Sequence, residues 1–200
     1  MKKGFTLIEL LIVIGILAIL ATVVVVVLNP AQLFAQARDS QRISDMTTLR
    51  SALSLYLATY STPSLGLCTS TGSKTGVAVV KDNTVVIPAT GGIIGLGLFG
   101  GASTTTIGAT STSRAIDGTG WVDVDFTDTS GGSPLSVLPT DPIGTATYFY
   151  GYACTGTVFE LDANMESSRY ASGGGDDVES KDGGDRPHLY EVGTDPGLDL

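Results

Sequence analysis

Histidine, cysteine and tryptophan are nearly absent: one, two and one residue respectively in a chain of 200, of which only 16% is charged. The single histidine, His188, follows Arg186-Pro187 in a polar stretch and has the context of a surface residue. With one histidine and only Cys68 and Cys154, zinc-type ligand spacing does not appear and the catalytic inventory is thin. Neither a nucleophile elbow nor a phosphate-cradling loop with its lysine occurs. Gly95-x-Gly97-x-x-Gly100 formally matches the dinucleotide fingerprint. Yet Ala102-Ser103-Thr104-Thr105-Thr106 after it is a poor helix start, and no second βαβ half follows. Asp123 and Asp125 share one face of an alternating stretch, Trp121 to Phe126. That face fits a solvated strand better than a metal site or a hydrolase carboxylate pair.

Basic residues are scarce too, and unevenly so. The net charge is −9, and residues 160–200 hold 11 acidic and 3 basic side chains against 9 and 8 in residues 1–159. Phosphate binding needs a basic face, so the acidity argues against nucleic acid as the primary partner. Low charge with abundant Gly, Ser and Thr suits a loop-rich β domain of about 140 residues.

What the sequence does have is an apolar run from Phe5 to Leu28, preceded by Met1-Lys2-Lys3-Gly4 and interrupted by one carboxylate, Glu9. A bilayer-spanning helix needs about 20 mostly apolar residues, and Lys2 and Lys3 set the cytoplasmic side. The run continues through Val23-Val24-Val25-Val26-Val27-Leu28 without the small-residue cleavage site of an ordinary signal peptide, so it should stay as an anchor. Glu9 has no basic residue in the span to pair with, and an intramembrane carboxylate is a functional signal by default. A partner in another chain, or a free amine made by proteolysis beside Phe5, would satisfy it.

Gly4-Phe5-Thr6-Leu7-Ile8-Glu9 resembles the processing and methylation signature of type IV pilins and type II secretion pseudopilins. The resemblance implies cleavage after Gly4 by a prepilin peptidase/methyltransferase, N-methylation of the new amino-terminal Phe5, and pairing of Glu9 with the Phe5 amine of a neighbouring subunit. It also implies an α+β fold, in which a long N-terminal helix, half transmembrane and half amphipathic, packs on a C-terminal antiparallel sheet. The division expected is a leader at 1–4, a transmembrane assembly helix at 5–29, an amphipathic helix at 30–61 and an extracytoplasmic β-rich head at 62–200.

Asn29-Pro30 interrupts the helix, since an interior proline costs about 3 kcal/mol. A kink, local unwinding and a boundary between two helices are the open alternatives. Beyond it Leu33, Phe34, Ala37, Ile43, Met46, Leu49, Leu53, Tyr56 and Tyr60 form an apolar stripe. Arg38, Asp39, Arg42, Asp45 and Arg50 are expected on the remaining faces. From Phe5 to Tyr60 such a rod is about 84 Å long at 1.5 Å per residue, and Thr62-Pro63 should end it. Val77-Ala78-Val79-Val80 and Thr84-Val85-Val86-Ile87 flank a polar turn and read as a hairpin.

Leu138-Pro139-Thr140-Asp141-Pro142-Ile143-Gly144, then Tyr148-Phe149-Tyr150-Gly151-Tyr152, is similar to the proline-aspartate-proline turn and aromatic strand of major pseudopilins. Thr157–Asp162 is expected as the next antiparallel strand, with Gly151–Gly156 as the connection, and Leu189–Val192 as an edge strand. The Gly/Ser/Thr-rich insertion over about residues 62–132 departs from that family pattern.

Two further features stay open. In an exported domain Cys68 and Cys154 can bridge a long loop, worth about 4–5 kcal/mol on a chain-entropy argument; two thiols that never meet are the alternative. Hard oxygen donors on the acidic loop suit Ca²⁺, and major pseudopilins carry a calcium site in the loop after their final strands. The resemblance therefore implies Asp162, Asp176, Asp177 and Asp182 as candidate ligands, against an acidic loop that holds no ion. The partners implied are further copies of the chain, the processing enzyme, an inner-membrane assembly platform and membrane lipid. A monomeric membrane-anchored extracytoplasmic enzyme or ligand-binding domain is the rival reading.

Overall fold

A computed structural model describes residues 4–66, 75–79, 106–107, 113–129, 131–145, 147–194 and 196–198, the side chains of 75–79, 106–107 and 155 excepted. Helix α1, Leu7–Leu28, is apolar throughout apart from Glu9, Gly15 and Thr22, and none of its residues is buried. Its 22 residues span about 33 Å at 1.5 Å per residue, which matches a hydrocarbon core about 30 Å thick.

One residue separates α1 from α2, Pro30–Thr59. Asn29 adopts the left-handed conformation, with φ 42° and ψ 76°. The helical conformation is disfavoured for a residue that precedes proline, and asparagine tolerates the left-handed region better than most. Pro30 takes the first position of the new helix, where its missing N–H costs nothing. Asn29 O then receives Gln32 N at 3.0 Å and Leu33 N at 3.3 Å. Of the three alternatives for the break, the boundary between two helices is the one found.

The buried face of α2 is Ala35, Asp39, Arg42, Met46, Leu49, Ala52, Leu53 and Tyr56. Its upper half is the expected apolar stripe. Its lower half is not: Leu33 and Phe34 are exposed, while Asp39 and Arg42 are fully buried. The charged pair lies inside because its partners come from distant loops, as described below. The helix ends three residues before the expected stop, at Thr59, with Tyr60 N bonded to Tyr56 O at 3.0 Å and the two rings stacked 5.2 Å apart.

The head is built on a sheet of five strands in the order β2-β1-β3-β4-β5. These are β1 Thr75–Val79, β2 Thr106–Ile107, β3 Tyr150–Thr155, β4 Val158–Ala163 and β5 Tyr190–Gly193. β3, β4 and β5 form a consecutive antiparallel set, β1 adds antiparallel to β3, and β2 runs parallel to β1. The β3–β4 connection is two residues, Gly156-Thr157, with Gly156 at φ 59° as a tight hairpin requires. Gly151 to Cys154 are thus strand, not connection. The first arm of the expected hairpin falls in β1, which pairs with β3; the second arm, residues 84–87, lies outside the described residues, as does Gly95–Gly100.

Trp121–Phe126 is not the half-exposed strand that its alternation suggests. Trp121 and Val122 are both buried, so the period of two fails at the first pair. The segment makes one bridge, Asp117 with Asp125, and passes into a short 3-10 turn, Phe126–Asp128. Asp123 and Asp125 are partly exposed, and Asp125 accepts Thr127 N at 2.9 Å. The core joins Met46, Leu49, Leu53 and Tyr56 of α2 to Trp121, Val124, Phe126, Leu138, Tyr150, Tyr152, Phe159 and Leu161. Burying an apolar side chain of this size contributes about 1.5–3 kcal/mol. This is the expected α+β arrangement, a long N-terminal helix with an antiparallel sheet.

Candidate functional site

The amino end stays non-helical up to Thr6, which caps α1. Gly4, Phe5 and Thr6 precede the helix and are exposed, and a methyl group added to Gly4 would meet nothing within 4 Å. Phe5 is 84% exposed. The Gly4–Phe5 bond therefore lies in exposed, non-helical chain. Met1, Lys2 and Lys3 lie outside the described residues.

Glu9 has a partner within its own chain. Thr6 caps α1 by accepting Glu9 N at 3.3 Å, and Glu9 Oε2 reaches back to Thr6 N at 2.9 Å and to the Thr6 hydroxyl at 2.6 Å. This is a capping box, and its signature, Thr6-x-x-Glu9, is legible in the sequence. Among the described residues, Oε1 of Glu9 receives no hydrogen bond.

The second constellation ties α2 to the head. Arg42 donates through Nε to Asp141 Oδ2 at 2.6 Å, through Nη2 to Asp141 Oδ1 at 3.1 Å and through Nη1 to Asp39 Oδ1 at 2.7 Å. Desolvation pulls the guanidinium down, but these hydrogen bonds with Asp141 and Asp39 hold it above its ordinary value. Asp39 also accepts Glu166 N at 2.9 Å and Ser167 N at 2.7 Å. Asp141 Oδ1 accepts Ile143 N and Gly144 N at 2.8 and 2.9 Å, which closes the turn after Pro142. Arg38 and Glu166 form a further ion pair, and the Tyr148 ring lies 5.0 Å from the Arg42 guanidinium. Tyr150 donates to Asp45 at 2.8 Å. The turn and the aromatic strand are thus both anchored on α2.

A third constellation is acidic. Glu160 and Asp162 lie two apart on β4, and Glu191 on β5 is in register with Asp162. One carboxylate oxygen from each lies within 4.8 Å of the others, and the three residues are at most 1% exposed. Like charges placed directly opposite across strands are destabilising. Both oxygens of Asp162 and Oε1 of Glu191 have no hydrogen-bond donor among the described residues. Desolvation first, then Glu160 and Glu191, raise the Asp162 carboxyl well above the ordinary range. Desolvation likewise raises Glu191, with Glu160 and Asp182 adding to it. The β3 residues opposite Asp162 and Glu160 are Gly151 and Ala153, and Gly193 is paired to Glu160 on the other side. Small neighbours leave room around the carboxylates.

The four acidic residues expected as ligands are distributed between two places. Asp162 sits in this cluster. Asp182 lies beside it, accepting Glu191 N at 2.7 Å and Gly184 N at 3.0 Å. Asp176 pairs with Arg169 on the surface. Asp177 accepts Gly173 N at 2.8 Å and Ser180 N at 3.0 Å, as well as the Ser180 hydroxyl. The acidic loop is consequently tied down by its own backbone donors, with Asp177 and Glu179 buried. Glu160 and Glu191 were missed as site residues; strand alternation flags the first, but only the β4–β5 register reveals the second.

His188 is exposed, as expected. Cys154 on β3 is disulfide-bonded, while Cys68, the other cysteine of the chain, lies outside the described residues. No curated protein and no solved structure matches the chain. Its amino end does find a match: residues 1–25 fit the family model described as the prokaryotic N-terminal methylation motif, the signature of type IV pilins and pseudopilins.

Proposed function

We propose that the chain is the precursor of a filament subunit, cut after Gly4, methylated on the Phe5 amine and polymerised through α1 into a type IV pilus or a type II secretion pseudopilus. The observation that carries this is the methylation motif placed on an apolar helix with no buried residue. That helix buries nothing in its own head, so its apolar surface is left to lipid before assembly and to other copies of α1 afterwards. Glu9 fits the second stage. Its Oε2 is engaged by Thr6, and its Oε1 is open to an amine from a neighbouring subunit.

In this reading the precursor is a single-pass protein of the cytoplasmic membrane with an extracytoplasmic head. A prepilin peptidase/methyltransferase acts first and an inner-membrane platform second. The disulfide at Cys154 agrees with a head outside the reducing cytoplasm, and we assign Cys68 as its partner. The head then has a structural, non-catalytic role. Intact-mass analysis of the native amino terminus tests the proposal: the expected species begins at Phe5 with one added methyl group. A mature protein that keeps Met1–Gly4 overturns it.

A further inference from the structure

We infer that Glu160, Asp162 and Glu191 form the binding site of one hard divalent cation, Ca²⁺ by its chemistry, held between β4 and β5 rather than in the acidic loop. Phe159 and Leu161 face the core, so alternation turns Glu160 and Asp162 to the other face of the sheet. Three carboxylates excluded from solvent there cannot all stay ionised without a counter-charge. The geometry suits a shared ion. Ca²⁺ binds oxygen at about 2.3–2.6 Å, so two oxygens on one ion are at most about 5.2 Å apart. The observed ligand atoms lie within 4.8 Å of one another.

The cluster offers oxygen alone, with no histidine or thiolate, which excludes a zinc-type site. Asp162 brings two carboxylate oxygens, and Glu191 one, that meet no donor among the described residues. Asp182 is the positioning residue, since its two oxygens fix the backbone of Glu191 and Gly184. Gly184 must be glycine for that approach: a Cβ there would stand 2.1 Å from Glu191 Oε2. A cavity of about 370 Å³, lined by Arg50, Asp182, Tyr190 and Glu191 among others, opens beside the cluster and gives an ion a way in. Asp176 and Asp177 are committed to Arg169 and to the Gly173–Ser180 turn, so the ligand set is the strand carboxylates and not the loop. None of this depends on how the amino end is processed.

The test uses the full chain in detergent, stripped with chelator and returned to Ca²⁺ or to Mg²⁺. At a hundredfold excess over its Kd, Ca²⁺ should raise the unfolding midpoint by about 5–10 °C, and equilibrium dialysis should count one ion per chain. Asp162→Asn should abolish the shift and, by removing one buried charge, raise the ion-free midpoint above wild type. The paired variant Asp176→Asn/Asp177→Asn should keep the full shift. Should Asp162→Asn not fold, Glu191→Gln and the wild-type dialysis count carry the same decision. The inference is overturned if wild type binds no Ca²⁺, if Asp162→Asn or Glu191→Gln shifts as wild type does, or if the loop variant loses the shift.

Discussion

Replacing Arg42 by alanine should destabilise the head strongly. The side chain is completely buried, and its removal leaves Asp39 and Asp141 buried without their counter-charge. Breaking a buried ion pair from one side costs about 3–5 kcal/mol. Both carboxylates keep two backbone N–H donors each, from Glu166 and Ser167 and from Ile143 and Gly144. That retained solvation by the backbone places the loss near the lower end, about 3 kcal/mol. At about 2–4 °C per kcal/mol for a chain of this size, the midpoint should fall by about 6–12 °C. Trp121, the only tryptophan, is fully buried with Nε1 bonded to Pro139 O at 2.9 Å, so its fluorescence reports the transition from inside the affected region. Arg169→Ala is the matched control, because its pair with Asp176 is about half exposed on both sides and such pairs contribute about 0–1 kcal/mol. Arg42→Lys should fall between the two, since one ammonium cannot span two carboxylates as a guanidinium does. Equal midpoints for Arg42→Ala and Arg169→Ala would refute the reasoning.

Four further outcomes follow from the geometry. Thr6→Val removes the cap of α1, worth about 0.5–2 kcal/mol, and should speed amide exchange at Glu9 and Leu10, whose N–H groups bond to Thr6, without affecting residues beyond Asn29; uniform protection would contradict the cap. Glu9→Leu subunits should be processed but assemble poorly, and normal filaments seen by electron microscopy would remove the assembly role of Glu9. Asn29→Ala/Pro30→Ala should fuse α1 and α2, seen as a gain in helical ellipticity, and an unchanged spectrum would show that the break has another cause. The Asp45 carboxyl is raised by desolvation, against the Tyr150 hydroxyl and Arg114 which lower it and with Asp141 which adds to the rise. A raised folded-state value favours the protonated form on folding, so Asp45 weighs against the fold at neutral pH and is relieved as pH falls through that value. Asp45→Asn should therefore gain stability over wild type at pH 7 and lose that advantage by about pH 4, as read by urea unfolding; a difference independent of pH would be inconsistent with this.

What the sequence reveals here depends on how local the controlling interaction is. Helix α1, the break at Pro30 and strands β3 to β5 rest on composition, on one proline and on short-range alternation, and all were legible. The capping box was equally local and was missed only because a charged partner was sought for Glu9. The inward position of Asp39 and Arg42 was hidden for a different reason. On a helix they look like solvated decoration, and the residues that make burial tolerable, Asp141 and Glu166, are 99 and 127 positions away. Glu160, Asp162 and Glu191 show the same limit, since alternation gives a face but not what covers it. Trp121 misled in the opposite direction: a large apolar residue beside Val122 was read as strand, whereas both side chains enter the core from irregular chain.

The polar ties between helix and head are concentrated on α2. Gln32, Arg38, Asp39, Arg42 and Asp45 all lie on α2, and their partners fall between Asp141 and Ser168. Upstream of Pro30 none of the described residues is buried. The head is thus fixed to α2 by ionic and aromatic contacts, while its direction relative to α1 is set at a single left-handed residue, Asn29. The cluster secures the head on α2, and Asn29 sets where α1 departs from it.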